Sequence, residues 1–166
     1  MQIREARPEE YEQVGALTFD AYAELGVAGY LGWYGERLRD VAGRAGDAEV
    51  LVAVDDDGTI LGNVTFVHGP ESTSADFTDP DAAGMRMLAV GGHAQGRGVG
   101  RALVDAVVAR ARVAGKQRVV LHTTSFMPVA QKLYRSFGFV RDEAMDFEPE
   151  PGTTILGYRF ELANTD

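Results

Sequence analysis

Residues 95–101 read Gln-Gly-Arg-Gly-Val-Gly-Arg and lie between the apolar run of residues 87–90 and an amphipathic helical pattern that begins at Val99. Glycine permits positive φ angles and lets a ligand approach the main chain closely. The unpaired amides of the first helical turn point toward such a loop, and the helix dipole favours an anion there. The sequence therefore predicts a strand, a phosphate-binding loop and a helix in this order.

The spacing of these glycines does not fit the two common nucleotide-binding loops. A dinucleotide-binding G-x-G-x-x-G motif that starts at Gly96 would need a third glycine at position 101, which is arginine. Residues 115–124 also lack the acidic residue that this motif needs about 20 positions further on. A P-loop would need Gly-Lys-Ser/Thr, which does not follow. The anion is therefore held by a loop of another kind.

Two further segments accompany the loop. Met-Leu-Ala-Val at residues 87–90 precedes it, and Ala-Gln-Lys-Leu-Tyr-Arg-Ser-Phe-Gly-Phe at residues 130–139 follows it. Gln95, Gly98 and Gly100 match the pattern Gln/Arg-x-x-Gly-x-Gly/Ala. In this order and spacing the segments resemble the GCN5-related N-acetyltransferase family. The resemblance covers nearly the whole chain and is most specific over residues 85–139.

The resemblance implies an acyltransferase in which a primary amine attacks acetyl-CoA directly in a ternary complex. Main-chain groups of Leu88 and Val90 would bind the pantetheine arm, and the Val90 amide would polarise the thioester carbonyl. Tyr134 would protonate the leaving thiolate, so Tyr134 and Val90 are the expected catalytic residues. The expected acyl-CoA-binding residues are Leu88, Ala89, Val90, Gln95, Gly96, Arg97, Gly98, Val99, Gly100, Arg101 and Tyr134.

Two positions depart from the family's pattern. Many members carry a glutamate on the fourth strand, but residues 83–85 are Ala-Gly-Met. The base would then be a water molecule or a carboxylate of the preceding loop, such as Asp79 or Asp81. Met127 stands where members often have an asparagine that binds the pantetheine arm. These departures motivate an alternative, a non-catalytic acyl-CoA-binding or sensing domain of the same fold.

The order of apolar patterns predicts a single mixed α/β domain over residues 1–166. We expect a mixed central sheet of about six to seven strands, flanked by about four helices. The resemblance implies that the sheet is mostly antiparallel and that the fourth and fifth strands splay apart. The apolar run at residues 50–54 predicts a strand covered on both faces. Strands are expected at residues 2–7, 50–54, 59–67, 85–90, 118–124, 139–144 and 154–162, and helices at residues 8–24, 36–44, 99–114 and 128–137.

Composition limits the partners of the chain. Its 166 residues include 16 basic and 25 acidic side chains, a net charge of −9 that argues against nucleic-acid binding. Residues 95–118 nevertheless hold six basic side chains against one acidic one, beside the predicted phosphate loop. There is no cysteine, and His68, His93 and His122 form no metal-binding pattern. We therefore expect no metal cofactor.

The last expectations concern location and acceptor. The sequence has no apolar run long enough to span a membrane and no apolar segment near its start, so we expect a cytoplasmic protein without a membrane partner. The acceptor is expected to be an amine-bearing small molecule or peptide whose identity the sequence does not reveal, and a homodimer is left open. Tyr30, Trp33 and Tyr34 either line the acceptor pocket or anchor the core.

Overall fold

The computed structural model describes residues 1–25 and 31–162. Eight strands and five α-helices make up this part of the chain. The strands are β1 (Gln2–Glu5), β2 (Glu49–Val54), β3 (Ile60–Val67), β4 (Ala82–Val90), β5 (Arg118–Thr124), β6 (Val140–Arg141), β7 (Phe147–Glu150) and β8 (Thr153–Glu161). The helices are α1 (Tyr11–Ala23), α2 (Leu31–Arg39), α3 (Val41–Ala45), α4 (Val99–Val113) and α5 (Pro128–Phe137).

The strands form one sheet in the order β1-β2-β3-β4-β5-β8-β6, with β7 also paired to β8. Neighbouring strands are antiparallel, except for the parallel pair β4 and β5. Helices α1 and α3 pack on one face of the sheet, while α4 and α5 pack on the other. The predicted mixed, mostly antiparallel α/β fold is therefore confirmed.

Strand β2 shows how the two faces are built. Successive side chains of a strand point to opposite faces. Val50 and Val52 pack with Val14 beneath α1, whereas Leu51 and Ala53 join the core beneath α4. Because both faces are covered, the strand is apolar throughout, as its sequence predicts.

The structure has one strand and one helix more than the sequence predicts. The additional strand is β7, whose sequence Phe-Glu-Pro-Glu has neither an apolar run nor apolar alternation. Strand β6 is also shorter than expected, because the chain leaves the sheet after Arg141 and forms a 3-10 turn at Glu143–Met145. Both β6 and β7 are defined by their pairing with β8, and the local sequence pattern does not reveal this pairing.

The predicted helix over residues 36–44 is wrong in its bounds, because the structure has α2 and α3 instead. Helix α2 begins five residues earlier and continues through Gly35. A Cβ atom at Gly35 would lie 2.9 Å from the ring of Phe19 on α1, so glycine here allows close packing of two helices. Asp40 separates the helices and caps α3, since its side chain accepts a hydrogen bond from the Gly43 amide at 2.9 Å.

Strand β4 begins at Ala82, three residues before the predicted start. Its first four residues, Ala82 to Met85, form the parallel ladder with β5. Within residues 1–25 and 31–162, no helix is long and apolar enough to cross a membrane.

Candidate active site

A gap between β4 and β5 forms the largest part of the candidate site. The parallel pairing of the two strands runs from Ala82–Arg118 to Met85–Leu121 and ends there, although both strands continue. A cavity of about 480 Å³ lies at this divergence, lined on one side by β4 and on the other by His122 and Thr123 of β5. The expected splay between the fourth and fifth strands is confirmed.

A bulge in β4 accompanies the gap. In the pairing with β3, Asn63 lies opposite Ala89 and Thr65 lies opposite Arg86, so β4 carries one extra residue between them. Met87 in this stretch has φ of 55°, an uncommon backbone conformation for a residue other than glycine. Bulges bend a strand and increase its local twist. This bulge therefore occurs where β4 separates from β5.

The main chain of β4 beyond the bulge presents alternate residues to the gap. The Gly91 amide donates a hydrogen bond to the Leu61 carbonyl of β3 at 2.9 Å. Because the polar groups of successive strand residues point to opposite edges, those of Ala89 face β3 as well. The amides and carbonyls of Leu88 and Val90 then face the cavity. A ligand in the gap can pair with this edge as another strand would.

The glycine-rich loop continues the cavity beyond the end of β4. Gly96 and Gly98 have φ of 80° and 78°, and Gly98 directly precedes α4. No described side chain caps this end of α4, so its first amides are available to an anion. The part of the loop that lines the cavity consists of Gln95, Gly96, Gly98, Val99, Gly100 and Arg101.

Arg97 has a different environment. It does not appear among the described residues that line the cavity, and its guanidinium pairs with Asp55 of the β2–β3 turn at 3.2 Å. The Arg97 side chain is about half exposed and that of Asp55 about one-third exposed. The structure therefore brings together all of the expected loop residues except the Arg97 side chain.

Helix α5 presents Tyr134 to the cavity. The Gln131 amide group donates to the Thr124 carbonyl at the end of β5 at 2.9 Å, and the Tyr158 hydroxyl of β8 donates to the Gln131 side chain at 2.9 Å. Arg135 donates to the same Tyr158 hydroxyl. This network, in which Gln131 and Tyr158 are buried and Arg135 is exposed, attaches α5 to two strands, and sequence reasoning did not identify it.

The Tyr134 ring is buried beside Phe139 and Tyr158, with ring centroids 5.9 and 6.3 Å away. Burial raises the pKa of the Tyr134 phenol far above its ordinary value, because the phenolate would lose its hydration. The phenol is therefore neutral at physiological pH and keeps its proton available for donation.

Met127 occupies the position before α5 and also lines the cavity. Its sulfur accepts a hydrogen bond from the Thr123 hydroxyl at 3.6 Å. A thioether has no polar hydrogen and cannot donate to a ligand. The hydrogen bond that an asparagine would supply here is absent.

The opposite end of the cavity lies beneath α1. Ala21 and Tyr22 of α1 and Leu25, just beyond its end, line it together with Arg86 of β4 and His122 of β5. The cavity therefore passes through the sheet, from the glycine-rich loop beside α4 and α5 to the face covered by α1.

Arg86 and Asp76 form a polar cluster at this end. Arg86 donates to the Ser74 carbonyl at 2.8 Å and to the Tyr34 hydroxyl at 3.3 Å, and its Nε lies 3.8 Å from Asp76. The same Asp76 oxygen lies 3.0 Å from Nδ1 of His122. Burial alone would lower the pKa of His122, but the adjacent Asp76 carboxylate outweighs it, so the pKa is raised.

The space that a glutamate at position 84 would need is filled. The Phe77 ring lies against Gly84, where any side chain would have to begin. Asp79 pairs with Arg118 instead of facing the cavity, and the described lining contains neither Asp79 nor Asp81. Asp76 of the same loop contacts the lining residues Arg86 and His122, but it is not itself among the described residues that line the cavity.

Tyr34 is a core residue that supports the site. It is buried with Leu38 and Met87, and its hydroxyl accepts the hydrogen bond from Arg86. Tyr30 and the side chain of Trp33 lie outside the described part of the structure. The described residues also contain no group of three histidine or carboxylate side chains that could hold a metal ion.

Comparisons with known proteins identify the family of this arrangement. The chain is 31% identical over 148 residues to a mycothiol acetyltransferase of Geodermatophilus obscurus, covering 85% of this chain and 45% of that protein. It is 32% identical over 114 residues to an uncharacterized N-acetyltransferase of Schizosaccharomyces pombe, covering 69% of this chain and 64% of that protein. The chain thus spans less than two thirds of the length of these relatives.

Solved structures share the fold at low sequence identity. A GNAT-family acetyltransferase from Staphylococcus aureus Mu50 superposes with a TM-score of 0.73 at 15% identity, covering 98% of this chain and 99% of that one. A Salmonella typhimurium structure solved with its cofactor acetyl-CoA superposes with a TM-score of 0.67 at 19% identity, covering 100% of this chain and 96% of that one. The model of the acetyltransferase (GNAT) family matches residues 6–139, and the chain therefore belongs to the GNAT acetyltransferase family.

Proposed function

We propose that the protein transfers an acetyl group from acetyl-CoA to an amine. The observation that carries this proposal is that the free main-chain edge of Leu88 and Val90 continues directly into the glycine-rich loop within one cavity. An elongated ligand with amide groups at one end and phosphates at the other matches these two features. The Salmonella structure was solved with acetyl-CoA, and the curated relatives include mycothiol acetyltransferases, which support the same donor.

The pantetheine arm would lie in the gap and pair with β4. Its amides would exchange hydrogen bonds with the main chain of Leu88 and Val90, on either side of Ala89. The pyrophosphate would accept hydrogen bonds from the amides of residues 96–101 at the start of α4. The positive charge of Arg101 would add to this attraction, and Gln95 would flank the loop.

The Val90 amide is the proposed donor to the thioester carbonyl. Amine attack makes this oxygen negative in the tetrahedral intermediate, and a fixed donor at such an oxygen is typically worth about 3 kcal/mol. The Val90 amide belongs to a strand held by β3 on its other edge, so little reorganisation is needed when the charge develops.

Tyr134 is the proposed proton donor to the leaving CoA thiolate. At their ordinary values of about 10 and 8.5, the pKa values of a phenol and a thiol make this transfer uphill by roughly 2 kcal/mol. Burial raises the pKa of Tyr134 further. The same apolar surroundings would raise the pKa of the thiol, because both anions lose hydration there. Proton transfer therefore occurs between two groups that the cavity shifts in the same direction.

The acceptor would approach from the α1 side of the sheet, opposite to the phosphate loop. An alkylamine with a pKa near 10.4 is unprotonated in only about one molecule in 2,500 at neutral pH. The site must therefore remove a proton before attack. The acceptor class proposed is a primary amine on a small molecule or peptide.

The proposal is tested by two measurements on the purified chain. Acetyl-CoA is expected to raise the melting temperature in a saturable manner, since a ligand that binds only the folded state stabilises it. Free CoA is expected to form when acetyl-CoA is combined with a panel of alkylamines, amino acids, aminosugars and peptides. Failure of acetyl-CoA to bind would refute the proposal.

A second candidate is the non-catalytic acyl-CoA-binding domain. The observation that favours it is the Phe77 ring against Gly84, which leaves no room for the family's strand carboxylate. Saturable binding of acetyl-CoA with background release of CoA for every amine would support this candidate. Turnover of any amine above background would exclude it.

A further inference from the structure

Arg86 places a permanent positive charge at the acceptor end of the cavity. Its side chain is 19% exposed, and it is one of the residues that line the cavity from β4. It comes before Leu88 and Val90 along this strand and is therefore farther in the chain from the glycine-rich loop. A guanidinium keeps its charge throughout the physiological pH range. A cation, a main-chain edge and a glycine-rich loop thus follow one another along the site.

The Arg86 guanidinium is held in place and still has donors to offer. Nη1 donates to the Ser74 carbonyl at 2.8 Å, and Nη2 donates to the Tyr34 hydroxyl at 3.3 Å. Nε lies 3.8 Å from Asp76, which is beyond hydrogen-bond distance. An arginine has five N–H groups, so three of them have no hydrogen-bond partner among the described residues. A ligand can therefore bind without displacing the contacts that orient the side chain.

The positive charge at this end is only partly neutralised. The Asp76 carboxylate lies close to both Arg86 and the His122 ring, so two basic side chains share it. Burial lowers the pKa of the Arg44 guanidinium on α3, and the nearby charge of Arg86 lowers it further. Nε and Nη2 of Arg44 are buried and have no hydrogen-bond partner among the described residues. Asp40, which raises the pKa of Arg44, is exposed.

The cavity itself offers no negative charge to balance these cations. Its described lining holds two arginines and a histidine, but neither aspartate nor glutamate. Asp20 of α1 and Glu24 beyond its end are exposed and are not among the described lining residues. Residues 26–30, which come next in the sequence, are Gly-Val-Ala-Gly-Tyr and carry no charge. An acceptor with only positive charges would therefore be repelled, whereas one that carries a carboxylate would be attracted.

We propose that the acceptor is an amino acid and that Arg86 binds its carboxylate. This inference rests on the proposed acetyl transfer and names the acceptor class of the same site. A guanidinium and a carboxylate form strong, charge-assisted hydrogen bonds that also fix the orientation of the ligand. With its carboxylate at Arg86, the amino acid directs its amine along the cavity toward the thioester beside Val90.

The first test compares matched acceptors on the intact wild-type protein. Each amino acid of the panel is measured beside its amide and its decarboxylated amine, for example leucine, leucinamide and isoamylamine. The preferred amino acid is expected to have a kcat/KM about 10- to 100-fold higher than its two analogues, the usual worth of a hydrogen bond to a charged group. The amide has the less basic amine and therefore more free base at neutral pH, so amine basicity cannot cause this preference.

Arg86→Gln provides the second test. Glutamine has no charge but can still donate a hydrogen bond to the Ser74 carbonyl. The KM for the preferred amino acid is expected to rise about 10- to 100-fold, whereas kcat/KM for its amide should stay unchanged. Arg86→Lys retains the charge without the planar fork and should keep part of the preference. Arg110→Gln is the matched control, because Arg110 on α4 pairs with Glu49 and is not among the described lining residues.

A binding measurement makes the same comparison without turnover. In the presence of free CoA, which cannot transfer an acetyl group, the preferred amino acid is expected to raise the melting temperature of the wild type in a saturable manner. Its amide should not. Arg86→Gln should lose this shift while CoA alone still stabilises it. If CoA no longer stabilises Arg86→Gln, the variant is misfolded, and Arg86→Lys and the wild-type comparison decide.

The outcomes separate this inference from the proposed function. If the wild type turns over no amine, acetyl transfer itself is refuted. If the wild type is active and acetylates amides or alkylamines as well as amino acids, the acceptor is not recognised through a carboxylate. A preference for amino acids that persists in folded Arg86→Gln, or an equal loss with every acceptor, would remove Arg86 from acceptor recognition.

Discussion

The aromatic ring of Phe77 packs against the main chain of Gly84, in the volume that a side chain at position 84 would occupy. Gly84 lies in the paired part of β4, between Val67 of β3 and Val120 of β5, so its backbone has little freedom to shift. The loop before β4 thus folds over the sheet through this contact.

Gly84→Ala is expected to destabilise the fold by about 1–3 kcal/mol, the usual cost of overpacking a filled site. In a Phe77→Ala background the same substitution should cost much less, because the volume is then free. Urea unfolding of the two single variants and the double variant measures this coupling. An equal cost of Gly84→Ala in both backgrounds would show that Phe77 does not restrict position 84.

The sequence could predict those parts of the site that lie within continuous segments. The glycine-rich loop follows a strand and opens a helix, as the sequence predicts, and all of residues 95–101 except Arg97 line the cavity. Tyr134 lies in a helix whose bounds the sequence predicts correctly, Pro128–Phe137. Such residues can be identified from the sequence because a single loop or helix contains them and places them at the cavity.

The acceptor end could not be predicted because three distant segments build it. Asp76, Arg86 and His122 come from a loop and two strands, and they meet only when the loop before β4 folds over the sheet. Asp79 and Asp81, which the sequence offered as alternatives to a water molecule, are not among the described residues that line the cavity, and pairing with Arg118 decides where Asp79 points. Tertiary packing determines which of these side chains meet, and neither the periodicity of apolar residues nor the turn residues of the sequence predict it.

Glu10 links β1 to the start of α1 and makes the free energy of unfolding depend on pH. Its carboxylate accepts two hydrogen bonds from Arg4, at 2.8 and 3.0 Å, and one from the Arg7 amide at 2.8 Å. The Arg4 guanidinium lowers the pKa of Glu10 from 4.5 to about 2. A depressed carboxylate pKa stabilises the fold at pH values above the unfolded-state pKa, and this contribution is lost as the pH falls toward 2.

Glu10→Gln is therefore expected to lower the melting temperature at neutral pH, with the difference from wild type shrinking as the pH falls below 4.5. Thermal unfolding followed by circular dichroism at several pH values measures the difference. Glu9→Gln, a neighbouring exposed acid, should show little difference at any pH. A constant difference for Glu10→Gln across the range would contradict the assignment.

Alanine substitutions at Gly98 and Gly115 distinguish the effect of backbone strain on stability from an effect on acetyl-CoA binding. Gly98 precedes α4 with φ of 78°, and Gly115 follows it with φ of 73°. A Cβ atom would meet nothing within 4 Å at either position, so alanine adds strain without a clash. Each substitution is expected to cost about 1–2 kcal/mol. Only Gly98→Ala should also weaken acetyl-CoA binding, because only Gly98 lines the cavity.

Urea unfolding and calorimetric titration with acetyl-CoA together test this pair. Equal losses of affinity in the two variants would mean that the loss follows general destabilisation, and the glycine-rich loop would then not be the phosphate site.

Tyr134→Phe tests the proposed acid at the centre of the cavity. The substitution keeps the ring that packs between Phe139 and Tyr158, so the fold and the walls of the cavity should persist. It removes the proton that would reach the leaving thiolate, and kcat is expected to fall by about 100-fold, a usual contribution of a general acid. The acetyl-CoA dissociation constant should change little, because the proposed binding contacts come mainly from β4 and residues 95–101.

Tyr11→Phe removes a hydroxyl from the cluster beneath α1 and serves as the control for loss of a phenolic group. Kinetics of CoA release and calorimetry on both variants complete the comparison. An unchanged kcat in Tyr134→Phe would mean that the thiolate leaves without a proton from Tyr134, and that Tyr134 only shapes the cavity.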